Sequence, residues 1–380
     1  MATPLETAAS LESLVRAHAD QGERERRLPA PVAEAFAASG LYRIGAPEDL
    51  AGLDADPTTQ MAVIETVSRF DGSAGWNLMI GIETFALLAP GCVACRALIE
   101  DPGVVLASST AAVGRADKEG DGYRVNGRWQ FVSGCHNAAV FGATVRLHEQ
   151  NSPVSQNVYA MVAEPDFRIE DTWAVGGLCG SGSHDVCVDD VWVPDAQIVA
   201  PLGGAEATTN QLRFPLGARL AFNKVAVALG IARAGIDAFV ELAEGKVPRF
   251  TSSSLRERPA SQRAVAEAEV RVRSGRALVA ELLEEMWGKV IAGEHISTRE
   301  RALFQLACSD AVRGCVSAVD TVCDAAGTTA NQQDHPLERI SRDVRVVRQH
   351  VTVASHQIDD AGRVLLGLPP EGLMLAGSRG

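Results

Sequence analysis

The stretch GYRVNGRWQFVSGCHNAAVFGATVRL, residues 122–147, decides the fold class. It is rich in β-branched and aromatic residues, and a Ser-Gly-Cys-His-Asn turn interrupts it, so it reads as strand, turn, strand. Neighbouring segments continue the pattern. GVVLASST, NVYAMVAE, FRIEDTWAV and HDVCVDDVWVP are short strands separated by Gly, Asp and Asn turns. Six such strands between about 104 and 206 predict a small sandwich or barrel.

On both sides the period changes to helical. Residues 1–103 contain LETAASLESLVRAHADQGERERRLP, PAPVAEAFAASGLYRI and TTQMAVIETVSRFDGSAGWNLMIGIETFALLA, the last broken near Asp71-Gly72-Ser73. Residues 207–380 contain four long Ala-rich amphipathic segments, starting near Arg219, Pro259, Ser297 and Pro336, each ended by Gly or Pro. They predict a four-helix bundle. The whole is an α+β chain: helical domain 1–103, β domain 104–206, bundle 207–380. The loosest stretch is EGKVPRFTSSSLRERP, 244–259.

Composition narrows the function. The chain has 380 residues, 46% of them hydrophobic, enough for several packed cores, and a net charge of -13. That charge argues against nucleic acid and anionic membranes as partners. There is no run of 18 apolar residues and no signal-peptide pattern at the N-terminus, so a cytoplasmic protein is expected. Of eight cysteines, Cys92 and Cys95 form a C-x-x-C without a second pair at zinc spacing. Cys308, Cys315 and Cys323 stand at helical core spacing and read as buried thiols, which fits a reducing compartment. No metal site is expected.

Individual motifs are modest. GGLCGSG, 176–182, precedes a strand instead of opening a helix, so it is a turn and not a dinucleotide loop. The turn after residue 132 is either a plain hairpin or one whose Ser133 and backbone amides hydrogen-bond a planar ligand. In RISRDVRVVRQHVTVASHQID, 339–359, Ile340, Val344, Val347, Val351, Ala354 and Ile358 form one apolar stripe on a single helix. His350 borders that stripe, and Arg339 and Arg342 share its side. His350 is a packing residue or a histidine aimed into a cleft. His350 and His356, six apart, are no metal pair. Arg339 and Arg342 pair locally or contact a ligand.

Together these residues resemble the acyl-CoA dehydrogenase fold across almost the whole chain. The resemblance rests on the helix–β–helix order, GYRVNGRWQFVSG, GLCGSGSHDVCVDDVWVP and HPLERISRDVRV. In the dehydrogenases a glutamate follows the RDxRV segment. Here that position is Val351, which cannot take a proton, and the Gly-Gly-x-Gly that holds FAD pyrophosphate is replaced by DAAGTTANQQ with Gly327 alone. The flavin-dependent two-component monooxygenases, similar to the oxygenase of p-hydroxyphenylacetate hydroxylase, fit better. Their Gly-x-Trp-x-Phe-x-Ser-Gly is matched by Gly127, Trp129, Phe131, Ser133 and Gly134, and their helical histidine by His350. Cys135-His136-Asn137-Ala138 departs from their usual acid-His-Ala.

The resemblance implies an oxygenase component that takes reduced FMN or FAD from a separate NAD(P)H-dependent reductase. With O2 it forms a C4a-hydroperoxyflavin and hydroxylates an aromatic or polycyclic phenol. The missing Gly-Gly-x-Gly favours FMN. The resemblance also implies site residues. Catalytic roles fall to His350, as the base toward a phenol of pKa about 10, and to Ser133. Cofactor contacts fall to Ser109, Thr110, Trp129, Phe131, Ser133, Arg339 and Arg342. Substrate contacts fall to Trp76, Asn77, His136 and Asn137. A homotetramer is implied as well. The competing readings are an acyl-CoA dehydrogenase or flavin oxidase, an S- or N-oxygenase of the same fold, and a non-catalytic binding protein.

Overall fold

The computed structural model describes residues 2–148, 157–200 and 209–376. The helices in chain order are α1 Pro4–Ser10, α2 Glu12–Glu25, α3 Ala30–Ala38, α4 Pro57–Phe70 and α5 Gly72–Leu88. Strands follow: β1 Leu106–Glu119, β2 Gly122–Val132, β3 Val140–His148, β4 Asn157–Ala163, β5 Arg168–Glu170, β6 His184–Pro194 and β7 Ile198–Val199. Then come α6 Asn210–Arg213, α7 Leu216–Gly245, α8 Pro259–Ala292, α9 Thr298–Ala326, α10 Pro336–Gln349, α11 His356–Leu365 and α12 Leu373–Ala376. By contact the chain divides into two compact units. One comprises Met1–Asp56, Trp76–Val175 and Cys179–Arg213. The other comprises Pro57–Gly75, Gly176–Leu178 and Phe214–Gly380.

In the first unit the strands make one sheet in the order β5-β6-β2-β1-β3-β4-β7. All neighbours are antiparallel except β1 and β3, which run parallel. The inward residues of β1, β2, β3, β4 and β6 meet in a single core around Trp129, Phe141 and Phe167. Trp129 is wholly buried, donates its Nε1–H to the Thr144 carbonyl at 2.9 Å, and stands edge-on to Phe141. Gly114 and Gly127 make room for its indole: a Cβ at either would lie 2.2 or 2.6 Å from the ring. Two elements depart from the sequence expectation. FRIEDTWAV yields only the three-residue β5, and the two-residue β7 carries too short a pattern to see.

In the second unit α7, α8 and α9 are long helices whose apolar faces pack together, and α4 packs along α7. Gly230 permits the α4–α7 approach, since a Cβ there would meet the Glu65 carbonyl at 2.4 Å. Asp71 breaks α4 from α5 by accepting the Ala74 N–H at 2.8 Å, an N-cap. One helix, Thr298–Asn331, is long and apolar enough to cross a membrane by length and composition, but 67% of that window is buried within the protein. It is a core helix.

Three expectations are corrected. Residues 4–25 form two helices, because the chain turns at Leu11. The stretch 339–359 is also two helices: α10 ends at Gln349, and His350 is its C-cap in extended conformation (φ -65°, ψ 133°). Val351, Thr352 and Val353 are all β-branched and poor helix formers. The backbone groups freed by the break find partners. Gln357 Nε2 donates to the Val351 carbonyl at 2.8 Å, Gln305 Nε2 to the Thr352 carbonyl at 2.5 Å, and Thr352 Oγ1 to the Leu220 carbonyl at 3.1 Å. Val351 therefore leaves the apolar stripe and is 56% exposed. Finally, Cys92 and Cys95 are joined as a disulfide, their Cα atoms 5.0 Å apart, and of the three thiols expected to be buried Cys308 and Cys315 are, whereas Cys323 is free but only partly buried.

Candidate functional site

Two constellations of buried polar side chains carry chemistry, one in each unit. The first is built on the end of β2. Strict alternation would put Trp129, Phe131 and Ser133 on one face. The register between β2 and β6 shifts from Trp129 to Val132, a bulge, and Phe131 takes a left-handed φ of 60°. The bulge turns Phe131 outward, 69% exposed and edge-on to Trp173, and returns Ser133 to the interior. Such a φ at a non-glycine residue is strained, and strain of this kind concentrates at functional sites.

Ser133 heads a chain of side chains. Trp76 Nε1–H donates to its Oγ at 2.9 Å, its Oγ lies 2.7 Å from Ser183 Oγ, and Ser183 Oγ lies 2.8 Å from Ser181 Oγ. All four side chains are buried. Gly134, in left-handed conformation, donates its N–H to the Ser181 carbonyl, and Asn77 Nδ2 donates to the Gly180 carbonyl at 3.2 Å. When Ser133 donates to Ser183, its oxygen accepts from Trp76 and keeps one lone pair for an N–H of a bound ligand. When the chain runs the other way, Ser133 presents a hydroxyl hydrogen.

Beside this chain, His136 and His184 meet edge-on at 4.9 Å. Thr172 and Trp173 donate their N–H groups to His184 Nδ1 at 3.1 and 3.2 Å, which assigns the proton to Nε2, the donor to the Arg26 carbonyl. Burial, with help from His184 and Arg27, pushes the His136 pKa down to about 4. Asn137 donates to the Leu28 carbonyl at 3.0 Å.

The second constellation surrounds the break between α10 and α11. His350 is partly buried, its Nδ1 lies 2.9 Å from Thr352 Oγ1, and that hydroxyl reaches the Leu220 carbonyl. If Thr352 donates to Leu220, His350 Nδ1–H donates to Thr352, and Nε2 carries the lone pair that can take a proton. The Thr352 N–H also approaches Nδ1 at 3.4 Å, a marginal length. Desolvation, and then the buried Lys224 ammonium, push the His350 pKa down to about 3. The imidazole is neutral at pH 7.

The remaining expected site residues are distributed as follows. Ser109 is buried and its Oγ accepts the Ala111 N–H, whereas Thr110 is exposed on a bulge of β1 between Ser109 and Gly114. Trp129 is core, so its face is closed to a cofactor. Arg342 is held by Glu338 through two hydrogen bonds, 2.8 and 2.9 Å, and by the Gly176 carbonyl, which is the local pairing. Asp343 fixes the same turn by accepting the Leu178 N–H at 2.6 Å. Arg339 lies half-buried on α10. Trp76 and Asn77 join Ser133, while His136 and Asn137 sit on the short turn Cys135–Asn137 just after it. Sequence reading missed Ser181, Ser183, Lys224, Thr352 and Gln305. The Ser-Gly-Ser spacing of 181–183 was a visible signal; a lysine inside an Ala-rich helix was not.

Family models match twice: "Acyl-CoA dehydrogenase, N-terminal domain" over residues 6–91 and "Acyl-CoA dehydrogenase, C-terminal domain" over residues 223–355. The chain is 30% identical over 375 residues to the indole-3-acetate monooxygenase of Pseudomonas putida, covering 97% of this chain and 96% of that one. It is 26% identical to the oxygenase component of the FADH2-dependent resorcinol hydroxylase of Rhizobium sp. (strain MTP-10005), covering 96% and 94%. The crystal structure of the 3-HSA hydroxylase from Rhodococcus sp. RHA1 superposes with a TM-score of 0.88 at 26% identity, covering 98% and 99%. The chain belongs to the flavin-dependent monooxygenases built on the acyl-CoA dehydrogenase fold.

Proposed function

We propose that this protein is the oxygenase component of a two-component system, receives reduced FMN or FAD from a separate reductase, and hydroxylates an aromatic ring. The observation that carries the reading is the buried Trp76–Ser133–Ser183–Ser181 chain. It fits a reduced isoalloxazine, which presents an N–H at N5: Ser133 Oγ has the lone pair for it, and its other partners fix its position. Reduced flavin with O2 supplies the oxygen atom. The residues must hold the ring, exclude water and manage the substrate proton.

Ser133 holds the N–H edge. Two residues before it on β2, the exposed Phe131 ring and its edge-on partner Trp173 offer an apolar surface on which a planar ring can stack. His350, neutral and backed by Thr352 and the Leu220 carbonyl, accepts a hydrogen bond from a phenolic hydroxyl at Nε2 and draws its proton away from the ring without taking it fully. Lys224 adds positive potential where the phenolate charge develops. The relatives' substrates, a resorcinol and an indole acid, indicate a small aromatic substrate for this chain too. A homotetramer is part of the reading: Val270, Leu278 and Ile291 of α8 are exposed and apolar, and subunit contact would cover them.

The test mixes protein-bound, anaerobically reduced flavin with oxygenated buffer and phenolic or indolic substrates. Reoxidation slower than that of free flavin, with oxygen recovered in hydroxylated product, is expected. Reoxidation at the free rate, with all oxygen recovered as hydrogen peroxide, would sink the reading. Light scattering gives the oligomeric state.

A further inference from the structure

A cavity of about 380 Å³ opens in the second unit at the α10–α11 break, lined by Arg313, Arg348, Gln349 and Ser355. Its chemistry is uneven. Two guanidiniums share one small space, and among the described residues neither has a hydrogen bond or ion pair. Most arginines nearby are engaged: Arg345 with Asp320, Arg342 with Glu338, Arg363 with Glu371. The chain carries a net charge of -13, so acids were available to pair Arg313 and Arg348 as well.

The other two lining residues suit the same ligand. Ser355 is the N-cap residue of the ten-residue α11, yet its hydroxyl makes no capping hydrogen bond. An uncommitted hydroxyl therefore opens onto the cavity. Gln349 adds an exposed amide. Two guanidiniums, an amide and a hydroxyl all provide donors. The volume is at the small end for ligand sites. Planar guanidinium forks match the oxygens of phosphate, and two of them match its charge.

We propose that the Arg313–Arg348 cavity is a phosphate-binding site, distinct from the Ser133 chain. Its ligand is a phosphate monoester or free phosphate. Because a flavin mononucleotide carries such a group, the site also bears on the flavin chosen, and that part rests on the proposed function. Inorganic phosphate is the first probe, by 31P NMR line broadening against the intact protein and its R313Q/R348Q variant. Binding by the wild type that weakens at least about tenfold in the variant is expected. No broadening by the wild type, or equal broadening by both, overturns the proposal.

Anaerobic titration with reduced FMN and reduced riboflavin separates the sources. If the variant loses affinity for FMN and keeps it for riboflavin, the flavin phosphate occupies the cavity. If phosphate binding is lost but both flavins bind as before, a free phosphate or another phosphate ester does. Both results uphold the site. Failure of the wild type to bind any reduced flavin would count against the oxygenase reading while the phosphate result stands by itself. Should the double variant misfold, Arg313→Gln alone serves, since Arg313 is exposed on α9 and holds nothing.

Discussion

Trp76 Nε1–H donates to Ser133 Oγ at 2.9 Å, and both side chains are buried. A helix residue thus fixes the hydroxyl at the end of β2. Ser133→Ala removes the acceptor that the indole N–H uses here and one of the two hydroxyl partners of Ser183, which should destabilise the fold by about 1–3 kcal/mol. Trp76→Phe removes only the donor and keeps most of the packing, so it should cost about 1 kcal/mol. Both should raise the peroxide released per flavin oxidised, Ser133→Ala more. Chemical denaturation and peroxide-to-product ratios check this. Equal coupling in all three proteins would remove Ser133 from the cofactor role.

His350 has a pKa near 3 in the fold and about 6.5 when unfolded. The unfolded chain therefore binds the proton more readily. Its contribution to stability is fully present above about pH 6.5 and is lost as pH falls toward 3. His136, at about 4, acts in the same direction. His350→Gln should flatten the acid limb of the stability–pH curve in that window, measured by urea denaturation at several pH values. An unchanged slope would mean that His350 titrates normally in the fold.

A neutral His350 also predicts the pH dependence of turnover. Product formation from a phenol should show no inflection near pH 6.5 from this residue. His350→Asn should lower it about 10²-fold at neutral pH, the usual scale for a general base. Raising the pH toward the phenol's own ionisation, about 10, should recover much of the loss. An indolic substrate, with no hydroxyl to ionise, should lose far less. Identical losses on both substrates would make His350 a structural cap only.

Gly114 and Trp129 test the β core. A methyl at 114 would press within 2.2 Å of the indole, so Gly114→Ala should destabilise by about 1–3 kcal/mol and alter the near-ultraviolet circular dichroism of the tryptophans. Wild-type stability would mean that the Trp129 ring has room to move.

The same residues show what was legible in advance. The period change around GYRVNGRWQFVSG is local physics, because alternation and turn residues act over a few positions. The α+β order was therefore readable, and so was Ser133 at the end of its strand. The break within 339–359 was not: the apolar stripe at helical spacing outweighs the β-branched Val351-Thr352-Val353. The break depends on Gln305 and Gln357, which satisfy its carbonyls from 47 and 6 residues away.

By itself the sequence determined the element order and the bundle, since both follow from short-range periodicity and residue chemistry, while the roles expected of Ser133 and His350 came from the family resemblance. Tertiary structure alone decided which side chains are spent on packing and which are held for chemistry. Trp129 fills the core, the bulge turns Phe131 outward, Arg342 is consumed by Glu338, and Ser181 and Ser183 extend Ser133 into a buried chain. Those outcomes depend on register shifts and on partners distant in sequence, where burial leaves a polar group no water to turn to.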